Sequence, residues 1–225
     1  MTARTAAHAV RHARHLLLDF DGPICDIFAG LPAPEVAASL RELLAASGVD
    51  LPLSIREQDD PMEVFRFSAG LGKGLNHAVL KALTKWEMKA TETSRPTPGA
   101  VELIRQARHA GRSVTIVSNN SVDAVTAYLT RHDLLMDVDH ISARADADPE
   151  LMKPHPHLVQ QALAWLGAIP SESVLIGDSE SDMEVCKRTG VVAVGYANKP
   201  GKVERLKQAG ADYVVTTIHD LLGAS

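Results

Sequence analysis

Two aspartates separated by a single residue, Asp19 and Asp21, follow the apolar run Leu16-Leu17-Leu18 and precede Gly22. Like charges this close raise each other's pKa, so a buried strand gains nothing from ending in them unless a cation sits between. Gly22 permits the sharp turn that would set both carboxylates in the crevice at a strand's carboxyl end, where open α/β sheets bind ligands. Read alone, the segment is equally a strand entering an Asp-Gly turn. Two later apolar runs also end on polar groups. Val114-Thr115-Ile116-Val117 ends on Ser118, and Val174-Leu175-Ile176-Gly177 ends on Asp178, with Asp182 four residues beyond. Between them Lys153 stands just ahead of Pro154 and Pro156, which signal a helix start. Taken singly, Ser118 is a helix N-cap candidate, Lys153 a solvated loop cation, and Asp178 and Asp182 charges favoured at a helix N-terminus.

Positioning these groups together requires strands that point the same way. Short apolar runs at 16–18, 114–117, 138–141, 174–176, 191–194 and 213–215 alternate with helical patterns from residue 96 onward. That rhythm predicts an α/β fold with a mainly parallel sheet covered by helices on both faces. No strand pattern interrupts 24–95. There Pro32 and Pro34 open a helix with Val36, Leu40, Leu43 and Leu44 on one face, stopped by Gly48. Asp60-Pro61-Met62-Glu63 predicts a second helix, with Asp60 as cap and Glu63 completing a capping box. A third, long helix carries Leu75, Val79, Leu83, Trp86 and Ala90 at helical spacing. The expected organisation is a catalytic core at 16–23 and 96–225, a helical insertion at 24–95 hinged at Pro96, and an N-terminal tail at 1–15, helical or frayed.

In this order and context the motifs make the chain similar to hydrolases of the haloacid dehalogenase superfamily, over roughly 16–222. Asp19 and Asp21 match the first motif, Ser118 the second, Lys153 the third, and Gly177-Asp178-Ser179-Glu180-Ser181-Asp182 the fourth. The resemblance implies a Rossmann-like core with an inserted all-helical cap, and within the superfamily it is phosphoglycolate-phosphatase-like. It further implies phosphoryl transfer through an aspartyl-phosphate. Asp19 is then the nucleophile, and Asp21 the acid that protonates the leaving alcohol and the base that activates water. Ser118 and the backbone amides of Gly22 and Asn119 would bind phosphoryl oxygens, and Lys153 would neutralise the nucleophile and the incoming anion. Asp178 and Asp182 are hard oxygen ligands suited to Mg²⁺. The family pattern adds Asp19 and the main-chain oxygen of Asp21. Dehalogenases of this fold lack an acid two places after the nucleophile, so Asp21 favours a phosphatase. A phosphomutase of the β-phosphoglucomutase type shares all four motifs and would need a second phosphate site in the cap. A phospho-accepting receiver would place its aspartate on a later strand of a domain about half this length, and an inactive binding module would not need every motif position.

The 225 residues carry a net charge of −5 and no basic block, which argues against a nucleic-acid partner and for a small phosphorylated metabolite. No apolar run is long enough to span a bilayer, and the tail with Arg4, Arg11 and Arg14 lacks the apolar stretch of a leader, so a cytoplasmic monomer or small homo-oligomer is expected. Cys25 and Cys186 are far apart and in no metal-like spacing, so neither a disulfide nor a zinc site is expected. In the cap, Arg56 and Lys73, the latter within Gly70-Leu71-Gly72-Lys73-Gly74, are the candidates to bind the part of the substrate that does not react.

Overall fold

A computed structural model describes residues 3–222. Its centre is a six-stranded sheet of β1 (His15–Leu18), β2 (Ser113–Ser121), β3 (His140–Arg144), β4 (Ser173–Gly177), β5 (Val192–Tyr196) and β6 (Tyr213–Val215). The order is β3-β2-β1-β4-β5-β6, and every pairing is parallel. Such strands are covered on both faces, which is why their sequences are apolar runs rather than alternations. Side chains nonetheless alternate in direction. Leu16, Leu18, Val174 and Ile176 enter one apolar cluster, while Leu17 and Leu175 enter the other.

Helices α6 (Ala100–His109) and α7 (Val122–Arg131) contribute Leu103, Ile104, Val125 and Tyr128 to the first cluster. Helices α8 (His157–Leu166), α9 (Glu180–Thr189) and α10 (Lys202–Ala209) contribute Leu158, Val159, Met183 and Leu206 to the second. The segment read as a tail is not frayed over the described residues. It forms α1 (Ala3–His12), whose Ala6 and Val10 are fully buried in the first cluster. Met1 and Thr2 of that tail, and 223–225 of the expected core, lie outside the described residues.

Between β1 and β2 runs the helical insertion: α2 (Ala33–Ala46), the short α3 (Leu53–Arg56), α4 (Pro61–Ser68) and α5 (Lys73–Ala90). It has its own apolar cluster, built on Val36, Leu40, Leu44, Phe65, Val79 and Leu83. Ile24, Cys25 and Ile27 pack with the sheet instead, so the chain leaves the core cluster later than residue 24. Asp60 caps α4 by accepting from the Met62 amide at 2.8 Å. Glu63 completes no capping box there, because its carboxylate is paired with Arg66 one turn on, at 3.2 Å.

Candidate active site

The carboxyl ends of β1, β2 and β4 open into a cavity of about 560 Å³, roofed by the helical insertion. Asp19, Asp21, Ser118, Asn119, Lys153 and Asp178 line it from the sheet side, and Phe28, Asp59, Asp60 and Met62 from the other.

Asp19 follows β1 directly, and its amide donates to the Ile176 carbonyl at 2.9 Å, which continues the β1–β4 ladder by one residue. Its Oδ1 accepts from the Phe20 amide at 2.8 Å and from Lys153 Nζ at 2.9 Å. Lys153 is fully buried, and its three donors are all used: on Asp19, on Asp182 Oδ1 at 2.5 Å, and on the Val117 carbonyl at 2.9 Å. Burial alone would lower its pKa, but the two carboxylates outweigh that and hold the ammonium above its usual range. Asp19 is displaced upward, first by burial and then by the charge of Asp182, which Lys153 offsets only in part.

Asp182 reaches this place as the third residue of α9. Ser179 caps that helix and forms a capping box, its amide donating to Asp182 Oδ2 at 3.1 Å while the other carboxylate oxygen meets Lys153. Asp178 follows β4, and its Oδ2 accepts from Lys202 at 2.5 Å and Asn198 at 3.0 Å. Burial raises the Asp178 carboxyl against the pull of Lys202. Two glycines let these acids crowd together. A Cβ on Gly22, at φ +99°, would lie 2.4 Å from Asp178 Cγ, and one on Gly177 would lie 2.3 Å from Asp182 Cγ.

Carboxylate oxygens of Asp19, Asp178 and Asp182 come within 4.8 Å of one another. One ammonium is shared by two buried carboxylates, so negative charge is left in excess. A hard divalent cation fits such a donor set. The carboxylate of Asp21 is not part of it, being turned to the Ile27 amide at 3.0 Å. Burial pushes this carboxyl up to about 7, a value suited to giving and taking protons near neutrality.

Ser118 is buried, and its hydroxyl accepts from the Asn120 amide at 3.2 Å. The role of N-cap falls to Ser121, which accepts from the Ala124 amide, leaving Ser118 at the cavity. Asn119 does more than offer an amide: its side chain accepts from the Lys153 amide at 2.8 Å and donates to the Lys153 carbonyl at 3.2 Å. The same carbonyl accepts from Arg66 of α4 at 3.2 Å, a contact from the insertion that sequence reasoning did not anticipate.

Also unanticipated is the buried pair Glu87–Arg144, at 2.6 Å. Glu87 accepts from the Ser121 amide at 3.0 Å and from Asn120 Nδ2 at 3.3 Å, and Arg144 Nε donates to the Asn119 carbonyl at 2.9 Å. The signal was present, since Glu87 stands four residues after Leu83 on the apolar face of α5, where an unpaired charge would be costly. Arg56 and Lys73 are not brought to the cavity. Arg56 pairs with Asp50 at 2.7 Å and donates to the Leu51 carbonyl, and Lys73 is exposed at the start of α5.

The family model for haloacid dehalogenase-like hydrolases matches residues 35–196. The chain is 27% identical to a phosphoglycolate phosphatase of Caulobacter vibrioides, over 92% of this chain and 88% of that one. With the phosphoglycolate phosphatase of Neisseria meningitidis it shares 24% identity over 95% and 94% of the two chains. Among solved structures, a predicted phosphatase from Clostridium acetobutylicum superposes with a TM-score of 0.71 at 18% identity, covering 93% of this chain and 96% of that one. CbbY from Rhodobacter sphaeroides in complex with phosphate gives 0.68 at 21% identity, covering 93% and 96%.

Proposed function

The chain belongs to the haloacid dehalogenase-like hydrolases, as one of their phosphatases, and we propose that it hydrolyses a small phosphorylated metabolite through a phosphoryl group carried on Asp19. The observation that carries this reading is the fixed state of Asp19: Oδ1 is held by Lys153 and the Phe20 amide, while Oδ2 has no partner among the described residues. Oδ2 attacks phosphorus, the bond from phosphorus to the ester oxygen breaks, and Asp21 gives its proton to the departing alkoxide. Asp21, now ionised, takes a proton from water. That water attacks the phosphoryl-aspartate, releasing inorganic phosphate and free Asp19. A carboxyl poised near 7 can act in both directions. Ser118 and the amide of Asn119 donate to the phosphoryl oxygens, whereas the Gly22 amide, expected to do the same, is committed to the Cys25 carbonyl at 2.6 Å; Lys153 lowers the repulsion between Asp19 and the anionic substrate.

Mg²⁺ is the expected cofactor: Asp19, Asp178, Asp182 and the main-chain oxygen of Asp21 would hold it, and when bound it would supply charge neutralisation at the phosphoryl group. The helical insertion, expected at 24–95 and carried by α2 to α5 once the chain has left the sheet after Ile27, acts as the cap over the core, with α1 packed on the first apolar cluster. Hydrolysis is favoured over a mutase reaction because Arg56 and Lys73 do not line the cavity, so the cap offers no cation for a second phosphate. Two buried free thiols, Cys25 and Cys186, suit a reducing cytoplasm, where the enzyme acts as a monomer or small homo-oligomer.

The test is direct. After rapid quenching with substrate, mass spectrometry should find a phosphoryl group on the peptide containing Asp19, and Asp19→Asn should abolish turnover. A phosphoryl group on Ser118 instead would overturn the assignment.

A further inference from the structure

The reacting end of a substrate meets Lys153 and hydrogen-bond donors, but the far end meets something else. The cavity wall contributed by the insertion carries two acids, Asp59 and Asp60, beside Gln58, Met62 and Phe28. Lys153 is the one cationic side chain among the described residues that line the cavity, and it lies on the sheet side, bonded to Asp19 and Asp182. Of the nearby cations of the core, Lys202 is paired with Asp178, and Lys199 is exposed and does not line the cavity. On the insertion, Arg41 donates to the Gln58 carbonyl, Arg66 is drawn to the Lys153 and Pro149 carbonyls, and Arg56 is held by Asp50.

The acids are placed by local structure. Asp60 accepts from the Met62 amide as the cap of α4, and its own amide donates to Gln58 Oε1 at 3.0 Å, which fixes the loop at the cavity edge. Asp59, exposed like Asp60 at the rim of the cavity, has no hydrogen-bond or ion-pair partner among the described residues, so no neighbouring cation offsets its charge.

Resting on the phosphatase reading above, we propose that the substrate is a phosphomonoester whose non-reacting end bears no negative charge, an amino-alcohol or polyol phosphate rather than the phosphate of a hydroxy acid or a bisphosphate. A carboxylate or second phosphate at that end would face Asp59 and Asp60 with no cation to receive it. Hydroxyl or ammonium groups would donate to the same oxygens, with Phe28 and Met62 in contact with the carbon chain.

The experiment compares kcat/KM in Mg²⁺ for three esters of matched length, 2-phosphoglycolate, 2-hydroxyethyl phosphate and O-phosphoethanolamine, with p-nitrophenyl phosphate as a generic reference. The neutral and cationic esters should exceed 2-phosphoglycolate by about tenfold or more, the gap narrowing as salt is raised. In the double variant Asp59→Asn/Asp60→Asn, where Asn at 60 still caps α4, the ratio of 2-phosphoglycolate to 2-hydroxyethyl phosphate should rise several-fold. A parent enzyme that prefers 2-phosphoglycolate, or a ratio unmoved by the double variant, overturns the proposal while leaving the phosphatase intact. Failure to hydrolyse any of the four esters removes the phosphatase reading and this inference together.

Discussion

Lys153 holds two buried carboxylates with a single charge, and the consequences are measurable. Burial and mutual repulsion raise Asp19 and Asp178 above the usual carboxylate range and push Asp21 from 3.8 up to about 7. A carboxyl raised in the folded state contributes stability that is complete below its unfolded value and is lost as pH rises through the folded one. Without metal, the site therefore destabilises the protein progressively between about pH 4 and 7. Mg²⁺ reverses this, so the rise in Tm it produces by calorimetry should be small near pH 5 and largest near pH 8; an equal rise at both would refute the linkage. Lys202, paired with Asp178, is a fixed cation at one proposed metal ligand. Lys202→Met should tighten Mg²⁺ binding by titration calorimetry about three- to tenfold, roughly 1 kcal/mol, by removing that positive charge. Weaker binding would mean that Lys202 aligns Asp178 instead of competing for it. Asp19, Asp21, Ser118, Lys153, Asp178 and Asp182 were legible because each marks a strand end or a helix start. Arg56 and Lys73 misled because a long cation follows the nearest carboxylate or solvent, and no pattern along the chain records which. Asp60 was read only as a helix cap, and Asp59 was not singled out at all.

At the scale of elements, α5 does two jobs along one face. Val79 and Leu83 close the apolar cluster of the insertion, and Glu87, one turn later, holds Arg144, the side chain of Asn120 and the backbone of Ser121 beyond the end of the apolar run in β2. The register between β2 and β3 shifts between Ser118 and Ser121, and these contacts secure that irregular stretch. Glu87→Ala should cost about 3–5 kcal/mol in denaturant unfolding, because Arg144 is left buried and unpaired. Adding Arg144→Met should recover much of that loss, whereas two additive losses would show that the ion pair itself was not the cause. The helix was legible from its spacing, yet its buried face runs through Asn76, Val79, Leu83, Glu87 and Ala90 rather than through Leu75 and Trp86. Apolar periodicity counts only apolar side chains, so a face that buries an amide and a carboxylate reads as rotated by one residue. The strands at 138–141 and 191–194 likewise came out shifted, at His140–Arg144 and Val192–Tyr196, since a strand continues wherever its neighbour offers a partner.

For the whole molecule, the sheet and its insertion were legible from the alternation of helical and apolar segments, but the packing of α1 on the core was not. With few large apolar residues it reads as a basic tail, and its contribution comes from small side chains that let it lie close to the sheet. Val10 is fully buried there, so Val10→Asp should destabilise the protein by about 3 kcal/mol or more through an unpaired buried charge, while Arg11→Ala on the exposed side should be neutral in the same unfolding measurement. The strand order carries one more consequence, which concerns synthesis. β1 is the first strand to leave the ribosome and lies between two that come much later: 98 residues separate His15 from Ser113 on β2, and 158 separate Arg14 from Glu172 beside β4. The helical insertion is contiguous and can bury its apolar faces as soon as it emerges, whereas β1 has both edges open until β2 is made and one edge open until β4 follows. The strand that carries the proposed nucleophile is the first of the six to be made, and it waits through more of the chain than any other for its second neighbour.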